Sequence, residues 1–514
     1  MAVPMSDEQR KAAAALLRER VPAAAEIGRL FVRHGYQLAL VGGLVRDVFL
    51  DNREAQADVD LTTDATPEQV LAVVGGWADK VWTIGIAFGT IGLRKGNSIF
   101  EITTYRSERY DRTSRRPVVT YGRSLEEDLS RRDFTINAMA ARLPGYELVD
   151  PFGGVDALQE RVLRTPGRPR DSFDDDPLRI LRAARFAAKL GFTVADEVRA
   201  AMAEQADRLE ILPAERITGE LTKLMLTPDP ARGIDLLVQT DVADMVLPEV
   251  SRLRMEADEH HRHKDVYQHS LTVLRQAIEL EPAYGLDGDL VLRLAALLHD
   301  IGKPKTRTLL PDGRVAFHLH EVVGAKLTRR RLTALRFPGD VVRDVSRLVE
   351  LHLRFHGYGE GAWTDSAVRR YVRDAGPLLT RLHVLTRADC TTRNRAKAER
   401  LARAYAALER RIAELSEQER LDSIRPELDG NDIMRILRIP PGPLVGRAHR
   451  YMLELRIAEG ELGREQATQE LLRWAAGEGI SVPEPDPGDG SGPAPEPGEP
   501  PAPEPGEAPE PGEG

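Results

Sequence analysis

Two short stretches near the start of the chain have the residue types of a site for a highly charged ligand. In "LALVGGLVRD", an apolar run ends at Gly42 and Gly43, and Arg46 follows about one helical turn later. Two glycines between a strand and a helix let the backbone approach a ligand closely, and the free N–H groups at the start of the helix attract an anion. This stretch therefore predicts a cradle for phosphate groups.

The second stretch, "ADVDL", places Asp58 and Asp60 two positions apart. On a strand these two carboxylates would lie on one face, and like charges at this spacing are costly unless a cation neutralises them. Oxygen-only ligands suit Mg²⁺, so the two stretches together predict a phosphate cradle facing a magnesium site. The alternative is a glycine turn beside a solvated strand edge. Glu101, on a neighbouring predicted strand, is either a third carboxylate of the site or an ordinary strand acid.

A mixed α and β region of about 150 residues must position these side chains. Residues 7–34 have a helical pattern with a break at Pro22, and residues 37–41 and 58–61 are predicted strands. Thr66 and Pro67 begin another predicted helix, because a threonine cap followed by proline is typical of a helix start. Two further strands alternate on either side of Gly96-Asn97, which predicts a hairpin.

After Pro177 the strand signals nearly vanish and the pattern becomes helical. Three amphipathic helices are predicted in "DPLRILRAARFAAKLGF", "ADEVRAAMAEQADRLE" and "PAERITGELTKLML". A histidine-rich helical section follows from about Glu259 to Asp389, and an arginine-rich one ends near Trp474. The predicted fold class is therefore α+β, with a mixed-sheet head followed by helical regions.

Composition limits the remaining classes. A chain of 514 residues is too long for one compact core, so several domains are expected. The one cysteine, Cys390, cannot form an internal disulfide, which fits a reducing cytoplasm, and no apolar run is long enough to span a membrane. The net charge is −9, but residues 481–514 carry nine acids and no bases in Pro-Glu-Pro-Gly units, a composition typical of disorder. The rest is neutral overall, so a nucleic-acid footprint must lie in local basic patches, such as residues 106–132 and 161–185.

The motifs together resemble those of the tRNA nucleotidyltransferase and bacterial poly(A) polymerase family, the class II branch of the polymerase-β-like nucleotidyltransferases. The resemblance covers Leu38 to about Leu226 through "GGLVRD", "DVDL", "FGTIGL", "FEITTYR", "RRDFTINAMA" and "DPLRILRAARF". It implies that Asp58 and Asp60 hold catalytic Mg²⁺ ions. It also implies a set of nucleotide-binding residues: Gly42 and Gly43 with Arg46 at the triphosphate, and Arg131, Arg132 and Asp133 at the sugar and phosphates. The polar segment from Tyr105 to Thr120 resembles the loop that such enzymes use when they change from C to A addition; a plain surface loop is the alternative.

Base choice would depend on "DDPLRILRAARF". Its spacing predicts one helix that carries Asp176, Arg179, Arg182 and Arg185 as a stripe. The resemblance implies that Asp176 and Arg179 act as a protein template, with the carboxylate accepting from the exocyclic amine of cytosine or adenine and the guanidinium donating to the ring. The family usually has Glu where this chain has Asp175, so no role is assigned to residue 175. A basic, solvated helix face is the alternative interpretation.

The histidine-rich section has the pattern of a metal site, because an adjacent His-Asp pair in "LLHDIGKP" is accompanied by further His and Asp on other predicted helices. It resembles the HD phosphohydrolase superfamily. The resemblance implies four ligands of a first ion, a transition metal or Mg²⁺, namely His269, His299, Asp300 and Asp389. His320 and His352 would complete a second metal or phosphate site. Such a domain acts either as a phosphohydrolase or as a scaffold.

The expected activity is template-independent addition of CCA to tRNA 3′ ends from CTP and ATP. The alternatives are a poly(A) polymerase and, in another class, an HD-type phosphohydrolase with an RNA-binding head. Five regions are expected: a catalytic head (1–164), a helical neck (165–250), an HD domain (251–395), a tRNA-binding helical region (396–480) and the acidic tail (481–514).

Overall fold

The computed structural model describes most of the chain, namely residues 7–50, 58–109, 118–121, 124–254, 266–312, 315–355, 363–390, 395–419 and 425–480. The acidic tail and residues 110–117 of the predicted Tyr105–Thr120 loop lie outside these ranges. The chain divides into two compact units, of which the first contains residues 1–364 and 370–414 and the second contains residues 365–369 and 415–514. The five finer boundaries stay a prediction.

The head of the first unit combines helices and strands. Its helices are α1 (Asp7–Arg20), α2 (Pro22–Arg33), α3 (Gly43–Asp47), α4 (Pro67–Val74), α5 (Leu125–Ser130) and α6 (Gly154–Glu160). Its strands are β1 (Leu38–Val41), β2 (Asp58–Thr63), β3 (Lys80–Trp82), β4 (Thr90–Lys95), β5 (Ser98–Thr104), β6 (Arg106–Arg109), β7 (Val118–Tyr121), β8 (Ala140–Arg142) and β9 (Glu147–Val149). Pro22 separates the first two helices, as predicted, and Thr66 and Gln69 form a capping box at the start of α4.

Seven of the described strands form one mixed sheet in the order β3-β4-β5-β2-β1-β8-β9. Strands β2 and β5 are parallel, with Asp58–Thr63 in register with Ile99–Thr104. The other neighbours are antiparallel, including the predicted hairpin of β4 and β5, where Gly96 takes the left-handed conformation with φ +58°. Because β1 and β2 pair in the centre of the sheet, the glycine turn after β1 and the two aspartates of β2 lie side by side.

Helices dominate the next section of the same unit. The elements are β10 (Val162–Leu163), α7 (Pro169–Asp175), α8 (Leu178–Leu190), β11 (Thr193–Val194), α9 (Asp196–Glu204), α10 (Ala214–Met225), α11 (Pro230–Gln239), α12 (Val242–Val246) and α13 (Pro248–Ser251). The three predicted amphipathic helices correspond to α8, α9 and α10. Apolar side chains such as Ile180, Leu221 and Ile234 are buried between α8, α10 and α11.

The histidine-rich section is also helical. It contains α14 (Val266–Leu280), α15 (Leu290–Leu298), α16 (Lys303–Thr306), β12 (Arg307–Leu309), β13 (Val315–Phe317), α17 (His320–Ala334), α18 (Gly339–Leu351), α19 (Asp365–Ala375) and α20 (Leu379–Ala388). The arginine-rich section begins with α21 (Arg395–Glu419). Two short strand pairs, β10 with β11 and β12 with β13, were not predicted, because the sequence has few strand signals in these sections.

The second unit has a small core of its own. Helices α22 (Gly430–Leu437), α23 (Pro443–Glu459) and α24 (Arg464–Gly477) pack around Ile433, Met452 and Leu471, all fully buried. No helix in the described ranges is both long and apolar enough to cross a membrane. The observed architecture confirms the predicted α+β class, with a mixed-sheet head followed by helical regions.

Candidate active site

A cleft between the head sheet and the α7–α8 segment gathers almost all of the predicted head residues. It consists of two adjoining cavities of about 360 Å³ and about 400 Å³. Both are lined by Asp60, Arg132, Asp176 and Arg179. The first is also lined by Glu101, Arg131 and Asp175, and the second by Gly42, Gly43, Arg46, Asp133, Arg182 and Arg185. Asp58 lies on the same strand as Asp60 but lines neither cavity.

The floor of the cleft carries the predicted carboxylates. Asp58 and Asp60 are exposed on one face of β2, and Val59 between them is buried. The register of β2 and β5 sets Asp60 directly beside Glu101. Desolvation raises the pKa of Asp60, with Arg132 opposing and Asp58 adding to the shift, and desolvation with both aspartates raises the pKa of Glu101. A cation near these groups would relieve the mutual repulsion, so the carboxylate pair fits a divalent metal.

Gly42 connects β1 to α3 in a conformation that only glycine adopts easily, with φ +75°. A Cβ atom at this position would lie 3.2 Å from Oδ2 of Asp60. The turn therefore brings bare backbone against the carboxylate site, as the glycine pair predicted.

Arg46 lies deeper than the sequence pattern indicated. Its side chain is buried, with Nε 2.7 Å from Oδ1 of Asp47, and Nη1 donates to Oδ1 of Asn137 at 2.9 Å. Asn137 in turn donates to the carboxylate of Asp133 at 2.9 Å. Arg46 is thus a cation fixed in the wall of the cleft.

Asp133 is a buried anchor of the same network. Its Oδ2 accepts a hydrogen bond from Nε of Arg182 at 2.8 Å. Burial alone would raise the pKa of Asp133, but Arg182 and the Asn137 hydrogen bond outweigh it and lower that pKa to about 2. The two preceding arginines face the cleft instead, and Arg132 is held by Asp128 at 3.1 Å.

The structure corrects the placement of Asp176. Asp176 follows the last residue of α7 and has an extended backbone (φ −148°, ψ 102°). Helix α8, which carries Arg179, begins only after Pro177. The reason is steric, because proline disfavours the helical conformation of the residue before it. Asp176 and Arg179 nevertheless face the same cleft, and Arg179 is oriented by Ser172, whose Oγ accepts from Nη1 at 2.8 Å.

Arg182 and Arg185 do lie on α8, and a buried acid on α10 holds them. Glu220 is 4 % exposed, accepts from Nε of Arg185 at 2.6 Å and lies 3.9 Å from Nη1 of Arg182. Burial lowers the pKa of Arg185, and the carboxylate of Glu220 opposes this shift. Sequence reasoning missed Glu220, Arg216, Asp128 and Asn137 as parts of this site. Asn137 was detectable, since it stands inside "RRDFTINAMA".

The predicted HD residues also converge, although they come from five places in the chain. Two groups have potential ligand atoms within 4.8 Å of one another: His269, His299 and Asp389 form one, and Asp300, His320 and His352 form the other. Asp300 lies between them, with Oδ2 3.2 Å from Nε2 of His299 and Oδ1 3.3 Å from Nε2 of His320. The sequence predicted Asp300 as a ligand of the same ion as His269, His299 and Asp389. Its position between the two groups allows Asp300 to bind an ion in either group.

Three of these histidines are oriented in the way that metal ligands are. In His299, His320 and His352, Nδ1 lies 2.9, 2.9 and 2.6 Å from a backbone carbonyl oxygen, which requires a proton on Nδ1, so that in the neutral ring the lone pair is on Nε2. Within the described residues, Nε2 of His320 and of His352 is buried and makes no well-aligned hydrogen bond, although Oδ1 of Asp300 lies 3.3 Å from Nε2 of His320. Burial and the neighbouring His299 lower the pKa of His352 to about 3, so its ring is neutral at physiological pH. The donor set therefore fits a divalent metal.

Lys303 was not anticipated at this centre. Its Nζ lies 2.6 Å from Oδ2 of Asp300, on the first turn after the His299-Asp300 pair. Burial would raise the pKa of Asp300, but the surrounding histidines and Lys303 hold it well below its usual range. The lysine could have been found from its spacing, because it stands three positions after Asp300 in "HDIGK".

Family models match three parts of the chain. A model described as the poly A polymerase head domain matches residues 38–164, and one described as a probable RNA and SrmB binding site of polymerase A matches residues 191–253. An HD domain model matches residues 266–394. The glycines and carboxylates of the head and the histidine cluster thus fall within separate matched regions, whereas Asp176 to Arg185 lie between the first two.

Known proteins resemble most of the chain. An A-adding tRNA nucleotidyltransferase of Deinococcus radiodurans is 37% identical over 446 residues, 85% of this chain and 95% of that protein. A CC-adding tRNA nucleotidyltransferase of Thermus thermophilus is 33% identical over 85% of this chain and 93% of its own. The solved CCA-adding enzyme of Bacillus stearothermophilus, in complex with CTP, superposes with a TM-score of 0.60 at 26% identity, covering 90% of this chain and 98% of that one. The chain belongs to the tRNA nucleotidyltransferase and poly(A) polymerase family, and it carries an HD domain.

Proposed function

We propose that this protein adds C, C and A to the 3′ ends of tRNA without a nucleic-acid template, using CTP, ATP and Mg²⁺. One observation carries the proposal: a single cleft is lined by Asp60 and Glu101 on the sheet and by Asp176 and Arg179 on the helical side. Carboxylates for metal binding and a carboxylate–guanidinium pair for reading a base therefore face the same space. The names of the full-length relatives support tRNA as the acceptor.

In this reaction the 3′ hydroxyl oxygen of the tRNA bonds to the α-phosphorus of the nucleotide, the bond from that phosphorus to pyrophosphate breaks, and the hydroxyl proton is released. Bound Mg²⁺ would lower the pKa of the hydroxyl and neutralise charge on the pyrophosphate. Asp58 and Asp60 would hold the metal. Arg132 faces the cleft and Arg46 lies fixed in its wall, where both supply positive charge near the phosphates.

Base selection follows from the groups that Asp176 and Arg179 present. Cytosine and adenine each place an exocyclic amine beside an unprotonated ring nitrogen, so the amine donates to the carboxylate and the ring nitrogen accepts from the guanidinium. Uracil and guanine present a carbonyl oxygen and a ring N–H at the same places. Their carbonyl oxygen would face the Asp176 carboxylate, which is also an acceptor, and their ring N–H would face the Arg179 guanidinium, which is also a donor.

Addition of only part of CCA is the second candidate, because the two relatives that match over most of their length are an A-adding and a CC-adding enzyme. Such an enzyme would use the same cleft but accept a different tRNA end. A poly(A) polymerase shares the head motifs and would extend RNA with A alone.

The test uses the purified full chain with three acceptors: tRNA lacking CCA, tRNA ending in C, C, and an unrelated RNA. Each is incubated with CTP, ATP, UTP and GTP singly and with CTP plus ATP, and products are resolved to one nucleotide. Complete CCA synthesis on the first acceptor supports the proposal. Extension of the second acceptor alone by one A identifies A addition, arrest after two C residues identifies CC addition, and long A tails on any RNA identify a poly(A) polymerase.

For the HD centre we propose a metal-dependent phosphohydrolase activity on phosphomonoesters or 2′,3′-cyclic phosphates. The support is that Nε2 of His299, His320 and His352 lies within 3.2, 3.3 and 3.9 Å of the Asp300 carboxylate, and that each ring is fixed by an Nδ1 contact to the backbone. The identity of the ion is tested by metal analysis of the purified protein and by hydrolysis assays after chelation and reloading with Mg²⁺, Mn²⁺, Ni²⁺ or Zn²⁺. Metal-loaded protein that hydrolyses neither substrate class would identify the domain as a scaffold. The single cysteine and a tRNA substrate fit a cytoplasmic location.

A further inference from the structure

Arg216, on α10, enters the base-reading side of the cleft. Its Nη2 donates to both oxygens of Asp176, at 3.0 Å to Oδ2 and 3.3 Å to Oδ1. It lines the same cavity as Asp176 and Arg179, although it lies 40 positions from Asp176 in the sequence. Its side chain is about one third exposed, and that of Asp176 is 21 % exposed.

We infer that Arg216 is a specificity-determining positioning residue, which holds the Asp176 carboxylate so that one defined oxygen lone pair is presented to the incoming base. The inference rests on the proposed nucleotidyl transfer to tRNA. It assigns to α10 a part in base choice in addition to its packing.

The hydrogen bonds of Asp176 show which oxygen lone pair remains available to accept a hydrogen bond from a base. Oδ1 accepts from the backbone N–H of Leu178 at 3.1 Å and from Arg216. Oδ2 accepts from Arg216. Because each carboxylate oxygen has two lone pairs, the two donors fill Oδ1 and Arg216 fills one site on Oδ2. The second lone pair of Oδ2 is then the acceptor that faces the cleft.

Without Arg216 the carboxylate would have more orientations. The terminal torsion of an aspartate is broad, so a single hydrogen bond from Leu178 does not fix the plane of the group. Lone pairs on both oxygens would then point into the cleft over a wider range of directions. A base with a differently placed donor, such as the ring N–H of uracil, would find an acceptor more often, and selection of cytosine and adenine would weaken.

A purely structural role makes a different prediction. If Arg216 only joins α10 to the α7–α8 junction, its loss would lower the melting temperature and would reduce the use of all four nucleotides by a similar factor. The ratio of the specificity constants for CTP and UTP separates the two roles, because a general loss of folding or of rate cancels from it.

The experiment compares Arg216→Ala, Arg216→Lys and a matched control, Glu215→Ala. Glu215 is the preceding residue on α10 and forms an exposed ion pair with Arg336. The measurements are kcat/KM for the four nucleotides on tRNA lacking CCA and on tRNA ending in C, C, with the melting temperature of each variant. We expect the ratio of CTP to UTP to fall roughly ten- to a hundredfold in Arg216→Ala, the range for a lost hydrogen bond to a charged group. The lysine variant should recover part of the ratio, because it keeps one charged donor, and Glu215→Ala should match the wild type.

A double-mutant cycle keeps the inference falsifiable if Arg216→Ala folds poorly. In an Asp176→Ala background, the change Arg216→Lys should leave the CTP to UTP ratio unaltered, because the group that Arg216 positions is gone. The inference is overturned if the ratio is unchanged in Arg216→Ala, if lysine is as poor as alanine, or if the two sites act additively. A wild-type protein that adds neither C nor A to tRNA would instead refute the proposed function, so the two failures are distinguishable.

Discussion

Asp60 and Glu101 are direct neighbours across the parallel strands β2 and β5, and Asp58 lies on the same face two residues before Asp60. The sheet register, rather than proximity in the sequence, brings Glu101 to the predicted metal site. Desolvation and repulsion by the neighbouring acids disfavour the charged forms of Asp60 and Glu101. That arrangement is expected of side chains that together bind a divalent cation.

Removing either aspartate should abolish nucleotide addition. We expect Asp58→Ala and Asp60→Ala to lower kcat by roughly a thousandfold or more, since metal stabilisation of the transition state contributes several kcal/mol. Affinity for tRNA should change little. Single-turnover addition and filter binding measure the two quantities, and Asp79→Asn, on the exposed surface of the head, is the control. Near-normal turnover of Asp58→Ala in Mg²⁺ would refute the assignment.

Gly42→Ala should impair catalysis through two effects at one position. The new Cβ would sit 3.2 Å from Oδ2 of Asp60, and a residue with φ +75° would be strained. We expect kcat to fall at least tenfold. Gly96→Ala separates strain from contact, because its φ is +58° but a Cβ there has no described atom within 4 Å. If both variants lose activity equally, the contact with Asp60 is not the cause.

Base choice should change in Asp176→Ala before chemistry is lost. The carboxylate accepts the amine of cytosine or adenine, so its loss should reduce kcat/KM for CTP and ATP and relax the exclusion of UTP roughly ten- to a hundredfold. Asp171→Ala, in an exposed ion pair on α7, is the comparison variant. An unchanged CTP to UTP ratio would mean that the base is read elsewhere.

The HD centre should function separately from the head. We expect Asp300→Ala to eliminate hydrolysis of phosphomonoesters and 2′,3′-cyclic phosphates and to leave CCA addition intact, because Asp300 lies between both groups of metal-binding side chains. Metal content measured by mass spectrometry should fall in parallel. Arg343→Ala, which breaks an exposed ion pair on α18, should change neither property. Hydrolysis that survives in Asp300→Ala would place that activity outside this centre.

Asp133 should make stability depend on acid pH. Its folded-state pKa is lowered from 3.8 to about 2, so its contribution is fully present above the unfolded pKa and is lost as the pH falls from about 4 towards 2. The lost amount is about 2 kcal/mol in the free energy of unfolding. In Asp133→Asn this loss should be absent. Denaturant unfolding of both proteins between about pH 5 and pH 2 gives the difference, and a constant difference would contradict the buried Asp133–Arg182 pair.

Local signals in the sequence predicted the parts of the fold that depend on a few neighbouring residues. Pro22 divides two helices, Thr66 caps α4 and Gly96 turns a hairpin, since each restricts the backbone within a few positions. Motif order then identified side chains that the fold brings to one cleft, such as Asp60, Arg132 and Arg179. Asp176 shows where helical spacing misled, because the preference of the residue before Pro177 outweighed the apparent stripe.

The partners of the cleft residues could not be read from the sequence in the same way. Asn137 meets Arg46 across 91 positions, and Glu220 meets Arg185 across 35. A polar residue on an amphipathic helix has the same pattern whether it faces water or a buried charge. Only the packing of α10 against α8 shows that Arg216 lines the cleft and that Glu220 is buried against Arg185.

Helix α10 also limits how this protein can be recombined with its relatives. Thr218 on α10 donates to the carbonyl of Leu335 in the HD section, and Arg293 of α15 donates to the carbonyl of Met225, the last residue of α10, at 2.8 Å. Helix α10, whose Arg216 contacts Asp176, is thus held in place by the HD section as well as by α8 and α11. A chimera that joins this head to another HD domain at residue 250 would keep α10 but replace the surface that supports it. A functional exchange must therefore transfer α10 with the contacting HD residues or redesign both surfaces together.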